Sequence, residues 1–248
     1  MTQEKFTALI FAMQEEQTGL REHLKEIETI TIGKREFLKA RFADQAIISA
    51  LSGIGKVAAS ITATTILNSF PVSKMIMCGV AGGVEETLKQ GDIVIATELL
   101  QHDMDASPLF PRFEIPLSGK KKISADEKLT SQLQRAAITY LKATNREESN
   151  QVKVGLIASG DQFISNQQVL NKLKDDLPGL MAVEMEGAAI AQVCEAFDLP
   201  FSVVRTISDS ANDDASLDFQ SFIKETAAPY SVGILNYYFA NEKISRSS

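Results

Sequence analysis

The stretch MAVEMEGAAIAQVCE, residues 181–195, places two carboxylates inside a run of otherwise apolar or small residues. Residues 180–183 are typical of the end of a short buried strand, and residues 187–197 have the composition of a closely packed helix. Glu184 and Glu186 therefore fall at a strand-to-helix junction. Because positions i and i+2 of an extended chain point to the same side, both carboxyls are expected to face one crevice. The local alternative is that they are first-turn acids that complement the helix dipole.

The composition indicates one soluble globular domain. The chain has 248 residues, of which 44% are hydrophobic and 23% are charged, and this balance is typical of a single α/β domain. We expect the domain to cover residues 1–240, followed by a polar tail over residues 241–248. The net charge of −7 argues against nucleic-acid or membrane partners, because there is no basic excess to neutralise phosphates. The first residues fit neither a signal peptide nor a membrane span, so a cytoplasmic location is expected.

Histidines and cysteines are too few for a recognisable metal centre. The chain has two histidines and two cysteines. His102, Asp103 and Asp105 are expected to form a hydrogen-bonded turn, because a second histidine ligand is missing nearby. Cys78 and Cys194 lie in apolar segments without metal-type spacing, and they are expected to be buried thiols in a reducing compartment. We therefore expect neither a metal nor a cofactor.

Segments with strand character alternate with segments of helical periodicity. Strands are predicted at residues 7–12, 37–42, 46–51, 74–79, 92–97, 153–158, 180–183 and 200–207. Helices are predicted at residues 15–28, 56–70, 126–143, 165–177, 187–197 and 218–240, the last with Pro229 as a site of bending. This alternation predicts an α/β fold with a largely parallel sheet.

Three connecting segments are distinctive. Residues 52–55 and 80–83 are glycine-bearing and are expected to be loops that bring backbone N–H groups close to a ligand, although neither matches a nucleotide-phosphate motif. Residues 101–122 contain three prolines and are expected to form a long irregular excursion. Such a segment in a compact domain is typical of a functional loop or an interface.

Several predicted strands end in residues that suit acid–base chemistry or ligand binding. Open α/β sheets bind ligands beyond the carboxyl ends of their strands, so one crevice is expected to collect these residues. Metal ligands, a nucleophile motif and a nucleotide-phosphate loop are all lacking, which favours acid–base work on a neutral, polyhydroxylated ligand. The residues at these ends are Glu16, Gly82 with Gly83, Asp161 with Phe163, Glu184 with Glu186, and Ser208 with Asp209.

Six segments in a fixed order resemble one family, the 5′-methylthioadenosine/S-adenosylhomocysteine nucleosidases of the nucleoside phosphorylase-like superfamily. EMEGA and RTISD indicate the wider superfamily, whereas AMQEE points to the hydrolases. The resemblance extends from residue 12 to about residue 219 and implies a single-domain three-layer fold, a mixed, mostly parallel sheet flanked by helices. The segments are AMQEE (12–16), SGIGKV (52–57), GVAGG (79–83), GDQFI (160–164), AVEMEGAAIAQV (182–193) and RTISD (205–209).

The resemblance implies a role for each residue that would act on the sugar and the leaving base. Asp209 would donate a proton to adenine N7, helped by Ser208. Glu16 would bind and activate the attacking water. Glu186 would accept hydrogen bonds from the ribose hydroxyls, with Met185 packed beneath the sugar. Such an arrangement stabilises an oxocarbenium-like transition state and makes the base a better leaving group.

The resemblance also implies the remaining contacts with an adenine nucleoside. Phe163 would stack on the purine, the backbone of Ile164 would read its edge, and Glu184 would lie close by. A homodimer is implied, because residues near Ala106 and Leu109 would reach into the partner's pocket. Val80 stands where the family often has Ser, which leaves the preferred 5′ substituent open. The other substrate-binding positions are Met13, Ile54 and Phe219 in the 5′-alkylthio pocket and Gly82 in the glycine-bearing segment.

Three other functions are compatible with parts of this pattern. A purine nucleoside phosphorylase would need arginines beside the glycine-bearing segment, where this chain has CGVAGG (78–83), and Glu16 would repel phosphate. An aminodeoxyfutalosine hydrolase would share the adenine and ribose contacts and differ only in the 5′ pocket. A non-catalytic nucleoside-binding or storage protein would be expected to lose Glu16 or Asp209, and both are present.

Overall fold

The computed structural model describes residues 4–209 and 222–247, with the side chains of the final helix described as far as Glu242. The strands in these ranges are β1 (Phe6–Phe11), β2 (Leu24–Ile32), β3 (Arg35–Phe42), β4 (Gln45–Leu51), β5 (Val72–Gly83), β6 (Ile93–Gln101), β7 (Ile123–Ser124), β8 (Val152–Ser159), β9 (Leu180–Glu184) and β10 (Phe201–Asp209). The α-helices are α1 (Lys56–Ser69), α2 (Glu127–Ala143), α3 (Gln167–Asp176), α4 (Gly187–Ala196) and α5 (Ala228–Ser247).

The strands form one mixed sheet in the order β2-β3-β4-β1-β5-β9-β8-β6-β10, with β7 paired to β6. Strands β4, β1, β5 and β10 run parallel to one another at its centre. Antiparallel pairs join β2 to β3, β3 to β4, β5 to β9 and β6 to β10. Because β10 pairs with both β5 and β6, the strands β5, β9, β8, β6 and β10 close into a ring rather than ending in a simple open edge.

Helices cover both faces of the sheet, which gives the predicted three layers. On one face α1 and α4 pack together through small residues, including Ala59, Ala63 and Ala188. On the other face α2 and α5 pack against the sheet, with Leu133 and Tyr230 fully or almost fully buried. Small side chains let α1 and α4 approach closely, and this brings the start of α4 next to the loop that precedes α1.

The prediction of a helix at residues 15–28 is wrong. Glu15–Gln17 is a single 3₁₀ turn, a second one spans Leu20–His23, and the chain then enters β2. Gly19 separates the two turns with a left-handed φ of 84°, a conformation that ends a helix and that glycine adopts without strain. The alternation in Leu24–Ile32 then favours a strand, whose register pairs Ile30 with Phe37 of β3.

The prediction of a loop at residues 80–83 is also wrong. β5 continues through these residues, because Val80 and Ala81 pair with Thr206 and Ile207 of β10, and the glycines that follow pair with β9. The long segment after β6 is irregular as predicted, with a cis peptide bond at Ser107-Pro108.

The helix predicted at residues 218–240 is irregular in its first described turns, before Pro229, and residues 218–221 lie outside the described residues. A π-type turn over Ile223–Ala227 leads directly into α5. Proline lacks the N–H that would continue the helical ladder, which explains why the wider turn precedes it. The helix extends to Ser247, past the boundary at residue 241 that the sequence suggested for a polar tail.

Two further expectations concern the chain as a whole. Within residues 4–209 and 222–247, no helix combines the length and the apolar character that a bilayer crossing requires. Both cysteines are free and buried as predicted, and burial raises the pKa of each thiol to about 12.

Candidate active site

A cavity opens where the ends of β1, β5, β9 and β10 meet. β5 and β9 run in opposite directions but overlap only at their last residues, where Gly82 lies opposite Val183. Gly82 is also the partner of Asp209 at the end of β10. The ends of three strands thus converge on one glycine, and this places Glu184 and Asp209 beside the same cavity.

Most of the residues that were predicted from the sequence to form the site line this cavity. Phe219 lies outside the described residues. Asp161 is not a lining residue, because its carboxylate accepts a hydrogen bond from the Lys56 N–H at 2.8 Å instead. The predicted residues that line the cavity are Met13, Glu16, Ile54, Val80, Gly82, Phe163, Ile164, Glu184, Met185, Glu186, Ser208 and Asp209.

Glu16 is held by the backbone of two strand ends. The 3₁₀ turn folds its side chain back onto the end of β1, where Oε2 accepts hydrogen bonds from the N–H groups of Ala12 at 2.8 Å and Met13 at 3.0 Å. Its other oxygen, Oε1, accepts one from the Val80 N–H at 3.0 Å. The residue is 1% exposed, and burial raises the pKa of Glu16 against the opposing effects of Arg205 and these donors.

Glu184 is an anchor at the start of α4. Its carboxylate accepts hydrogen bonds from the N–H groups of Glu186 at 3.1 Å and Gly187 at 2.8 Å. The hydroxyl of Ser159 donates to Glu184 and accepts a hydrogen bond from the Ala188 N–H at 2.7 Å. The first backbone donors of α4, which the helix itself leaves unpaired, are therefore satisfied by side chains from β8 and β9.

Glu186 connects this anchor to the loop that precedes α1. Its Oε1 accepts a hydrogen bond from the Gly55 N–H at 2.9 Å, and its Oε2 lies 3.3 Å from Arg205 Nη2. Burial, followed by the nearby charge of Glu184, raises the pKa of Glu186 to about 7. This carboxyl therefore changes charge near neutral pH.

Arg205 is the functional residue to which the sequence analysis gave no role. Its side chain has no exposed surface and pairs with both Glu184 and Glu186. The charge of Glu16 also acts on it, and the carboxylates outweigh burial and raise the pKa of Arg205. One signal was available in the sequence: PFSVVRTI contains a single charged residue within an otherwise strand-like apolar run. A charge in such a position needs partners.

Gly79 leaves the space that this cluster occupies. A Cβ at this position would lie 2.2 Å from Arg205 Nη1 and 2.5 Å from Glu16 Oε1. Any larger residue would have to displace the guanidinium or the carboxylate. The glycine in the middle of β5 is thus explained by the close approach of two charged groups.

Asp209 and Ser208 form the opposite side of the site. The Ser208 hydroxyl donates a hydrogen bond to Asp209 Oδ2 at 2.6 Å. The backbone of Ser208 is fixed in turn, because its carbonyl accepts a hydrogen bond from Gln90 Nε2 at 2.8 Å. Asp209 is partly exposed, in contrast to the buried Glu16 and Glu186.

Apolar side chains complete the cavity. Phe163 is 53% exposed and Ile54 is 57% exposed, so two large apolar surfaces are open to a ligand. Val80 packs against Phe222 and Ile223 of the C-terminal region, with Met13 alongside. None of the described lining residues is Lys, Arg or His. The site therefore offers carboxylates and apolar surface, an arrangement suited to an uncharged ligand on which positive charge develops.

We expect Arg205→Met to lower the free energy of unfolding by about 3–5 kcal/mol, because it leaves buried carboxylates without their cation. The loss should shrink between about pH 8 and pH 5, since the folded variant takes up protons at higher pH than the wild type and so gains stability as the pH falls. Chemical denaturation across this range measures both effects.

The matched control is Arg112→Met. Arg112 pairs with Asp176 at 2.5 Å, but these side chains are 36% and 29% exposed, so a loss of only about 0–1 kcal/mol is expected. Equal losses for the two variants at every pH would contradict the role of the buried cluster.

Comparison with known proteins identifies the family. The Phosphorylase superfamily matches residues 7–234. A 5′-methylthioadenosine/S-adenosylhomocysteine nucleosidase of Bacillus thuringiensis subsp. konkukian is 36% identical over 220 residues, which are 89% of this chain and 92% of that protein. A solved nucleosidase of that name from Neisseria meningitidis, in complex with methylthio-immucillin-A, is similar with a TM-score of 0.88 and 34% identity, covering 96% of this chain and 99% of the other.

A second solved structure carries a different activity name. The futalosine hydrolase of Helicobacter pylori is similar with a TM-score of 0.84 and 33% identity, covering 96% of this chain and 98% of the other. The solved proteins that carry these two names both have the fold of this chain. On the extent of these matches, the chain belongs to the phosphorylase superfamily and, within it, to the family of 5′-methylthioadenosine/S-adenosylhomocysteine nucleosidases.

Proposed function

We propose that this enzyme hydrolyses the N-glycosidic bond of 5′-methylthioadenosine and S-adenosylhomocysteine, releasing adenine and the 5′-thio-substituted ribose. The observation that carries the proposal is the arrangement of Glu16, Glu186 and Asp209 around one cavity with apolar walls. Relatives named for this activity match the chain over nearly its whole length. We further propose that it acts in the cytoplasm, for which the two free, buried thiols are the support.

Asp209 is the proposed general acid. It delivers a proton to adenine N7, so that the electron pair of the breaking N9–C1′ bond leaves on a neutral base. The Ser208 hydroxyl, 2.6 Å from Asp209 Oδ2, fixes the orientation of the carboxyl. The partial exposure of Asp209 agrees with a group that must exchange a proton with solvent in each cycle.

Glu16 is the proposed general base. It would hold a water against C1′ and accept its proton as the new C–O bond forms. The efficiency of a general base is greatest when its pKa approaches the working pH, and burial moves the pKa of Glu16 in that direction. Its three backbone hydrogen bonds fix the position of the carboxylate before the substrate arrives.

Glu186 is the proposed partner of the ribose hydroxyls. Its negative charge would also stabilise the oxocarbenium character that develops at the sugar. Met185 would pack beneath the ring, and Phe163 would stack on the purine beside the backbone of Ile164. The 5′ substituent would extend toward Ile54 and Met13.

Hydrolysis is favoured over phosphorolysis by the charge of the cavity. A phosphorylase must bind an anion, yet no described lining residue is cationic. The nearest arginine, Arg205, is fully buried and already paired with two carboxylates. Phosphate would therefore meet negative charge without a compensating partner.

We expect adenine release from methylthioadenosine and S-adenosylhomocysteine in phosphate-free buffer, with no acceleration when phosphate is added. Asp209→Asn should reduce kcat by at least about 10²-fold, because general acid catalysis is lost. The control is Asp175→Asn, which alters an exposed carboxylate on α3 and should leave turnover unchanged. Chromatographic quantification of adenine measures all of these rates.

The same assay separates the alternatives. Release that requires phosphate would establish a phosphorylase. Release from aminodeoxyfutalosine but from neither thionucleoside would place the enzyme with the structurally similar futalosine hydrolase. Full turnover by Asp209→Asn would rule out the proposed proton donor.

The pH dependence should show the titration of Glu186. Its folded-state pKa is raised to about 7, so the carboxyl stays protonated in the free enzyme until the pH approaches that value. The anion accepts hydrogen bonds from the ribose hydroxyls more strongly than the neutral carboxyl does, so kcat/KM should rise with pH up to about 7. Glu186→Gln removes this titrating carboxyl, so its kcat/KM should be lower and the rise of kcat/KM with pH should no longer be centred near pH 7. The exposed control Glu127→Gln should keep the wild-type profile, and an unchanged profile in Glu186→Gln would contradict the assignment.

A homodimer is also proposed. Exposed apolar side chains lie on and next to α1: Val57 is 69% exposed, Ile61 is 50% exposed and Phe197, just after α4, is 45% exposed. A groove between α1 and α4 is lined by these residues. Leu109, in the proline-rich segment, is 84% exposed. Soluble monomers rarely leave such a patch uncovered, and a second copy would cover it.

Light scattering should give twice the mass of the chain for the wild type. Val57→Lys combined with Ile61→Lys should shift the mass toward the monomer and lower kcat/KM, because the partner would no longer complete the 5′ pocket. Val169→Lys is the control, since Val169 is 41% exposed on α3, away from the groove. A fully active wild-type monomer would refute the dimer.

A further inference from the structure

Two separate segments each contribute a wall of the cavity. The first is the loop at residues 52–55, which carries Ile54 and donates the Gly55 N–H to Glu186. The second is the segment at residues 160–164, which carries Phe163. The segments are far apart in sequence, so their separation in space must be set by contacts between them.

A third segment makes those contacts. Asp103 lies just after β6, and its Oδ1 accepts a hydrogen bond from Lys56 Nζ at 2.6 Å while its Oδ2 accepts one from the Asp161 N–H at 2.9 Å. The Lys56 N–H also donates to Asp161 Oδ1 at 2.8 Å, so each of the three residues is hydrogen-bonded to the other two. We call Lys56, Asp103 and Asp161 the Asp103 clamp. Each oxygen of Asp103 holds a different wall.

Two members of the clamp, Lys56 and Asp103, are partly shielded and charged, whereas Asp161 is exposed. The side chains of Lys56 and Asp103 are 16% and 19% exposed. Burial alone would raise the pKa of Asp103, but the hydrogen bonds from Lys56 and from the Asp161 N–H lower it overall. The carboxylate therefore remains ionised across the neutral range. Lys56 Nζ is fixed further by Gln101 Oε1 at 2.9 Å.

The packing around the clamp leaves little room for movement. Gly55 has a φ of 96°, and a Cβ there would lie 3.0 Å from Asp161 Oδ1. On the other wall, a Cβ at Gly160 would lie 2.3 Å from the His102 ring. The loop at residues 52–55 thus approaches the segment at residues 160–164 directly at Gly55, and that segment approaches the Asp103 region at Gly160.

We propose that Asp103 is a positioning residue, which sets the distance between the loop at residues 52–55 and the segment at residues 160–164 and so keeps the Gly55 N–H on Glu186. Asp103 does not line the cavity and would touch no substrate. The inference rests on the proposed nucleosidase function for its kinetic readout, and on amide exchange for a readout that needs no turnover.

The kinetic experiment is a double-variant cycle. Asp103→Asn should lower kcat/KM by about tenfold, because displacement of reacting groups by a fraction of an ångström has effects of this order. In the Glu186→Gln background the same change should cost less than about twofold, because the carboxylate charge whose position Asp103 sets is already gone. Asp175→Asn is the control: it makes the same Asp-to-Asn change at an exposed carboxylate on α3, outside both segments and the Asp103 clamp. It should change kcat/KM by less than about twofold in either background.

The second measurement is hydrogen exchange of the Gly55 amide. In Asp103→Asn this amide should exchange at least about threefold faster, because its partner wall has loosened. Asp175→Asn should leave it unchanged. If Asp103→Asn fails to fold, Lys56→Gln removes the ammonium contacts with Asp103 and Gln101, keeps the backbone contact with Asp161 and should give effects in the same direction.

The outcomes are distinguishable. An unchanged Gly55 amide in the folded Asp103→Asn protein, or in the folded Lys56→Gln protein where that variant replaces it, would overturn the inference whatever the turnover. Equal losses of kcat/KM with and without Glu186 would overturn it as well, because that result indicates a general structural effect. A wild type that releases no adenine would instead overturn the proposed function and leave the exchange result to decide the clamp.

Discussion

The fully buried guanidinium of Arg205 is the charge on which the site depends. Its contacts with Glu184 and Glu186 tie β10 to the end of β9 and the start of α4. Its field also acts on Glu16, which is held between β1 and β5. Without a cation at this point, several carboxylates would be buried side by side at a cost of several kcal/mol, on the order expected for uncompensated buried charges. The core of the sheet and the chemistry of the cavity therefore share one electrostatic centre.

Backbone geometry makes this centre possible. Glu16 and Glu184 each accept backbone N–H hydrogen bonds, and Glu186 accepts one from Gly55. These donors lie at strand ends and at a helix start, which are the places where backbone groups lack partners within their own element. Folding thus places the carboxylates before a ligand binds, and little reorganisation remains for the reaction itself.

Much of this could be predicted from the sequence. The strand-to-helix junction at Glu184 and Glu186 and the alternation of elements were predictable, because burial leaves a clear pattern in short apolar runs. The loop predicted at residues 80–83 is a strand, and a Cβ at Gly83 would lie 3.0 Å from Ile207, so this glycine admits a neighbouring side chain and does not mark a turn. The helix predicted after Glu15 fails at Gly19, where local periodicity gave no warning of the left-handed turn. Long-range contacts explain the rest.

Arg205 is a residue whose role depends on contacts with other elements of the fold. A lone charge in a strand shows that partners are needed, but not that they come from elements 19 to 21 residues earlier in the chain. Asp161 shows the converse. It follows a strand end like the other acids, yet its carboxylate turns away from the cavity and bonds to the backbone of Lys56. The position of an acid along a strand predicts its neighbourhood, whereas its direction depends on which donors lie within reach.

The two sides of the cavity differ in how they are built. Beside Glu16 and Glu186 the walls are strand ends held by buried charges, and a substitution there disturbs the core. Near Ile54 and Met13, by contrast, the wall consists of exposed or partly exposed apolar side chains on loops. Changes on that side leave the charged centre intact. One catalytic framework can therefore diversify among adenine nucleosides with different 5′ groups, and similar structures bearing nucleosidase and futalosine hydrolase names are the expected product of such divergence.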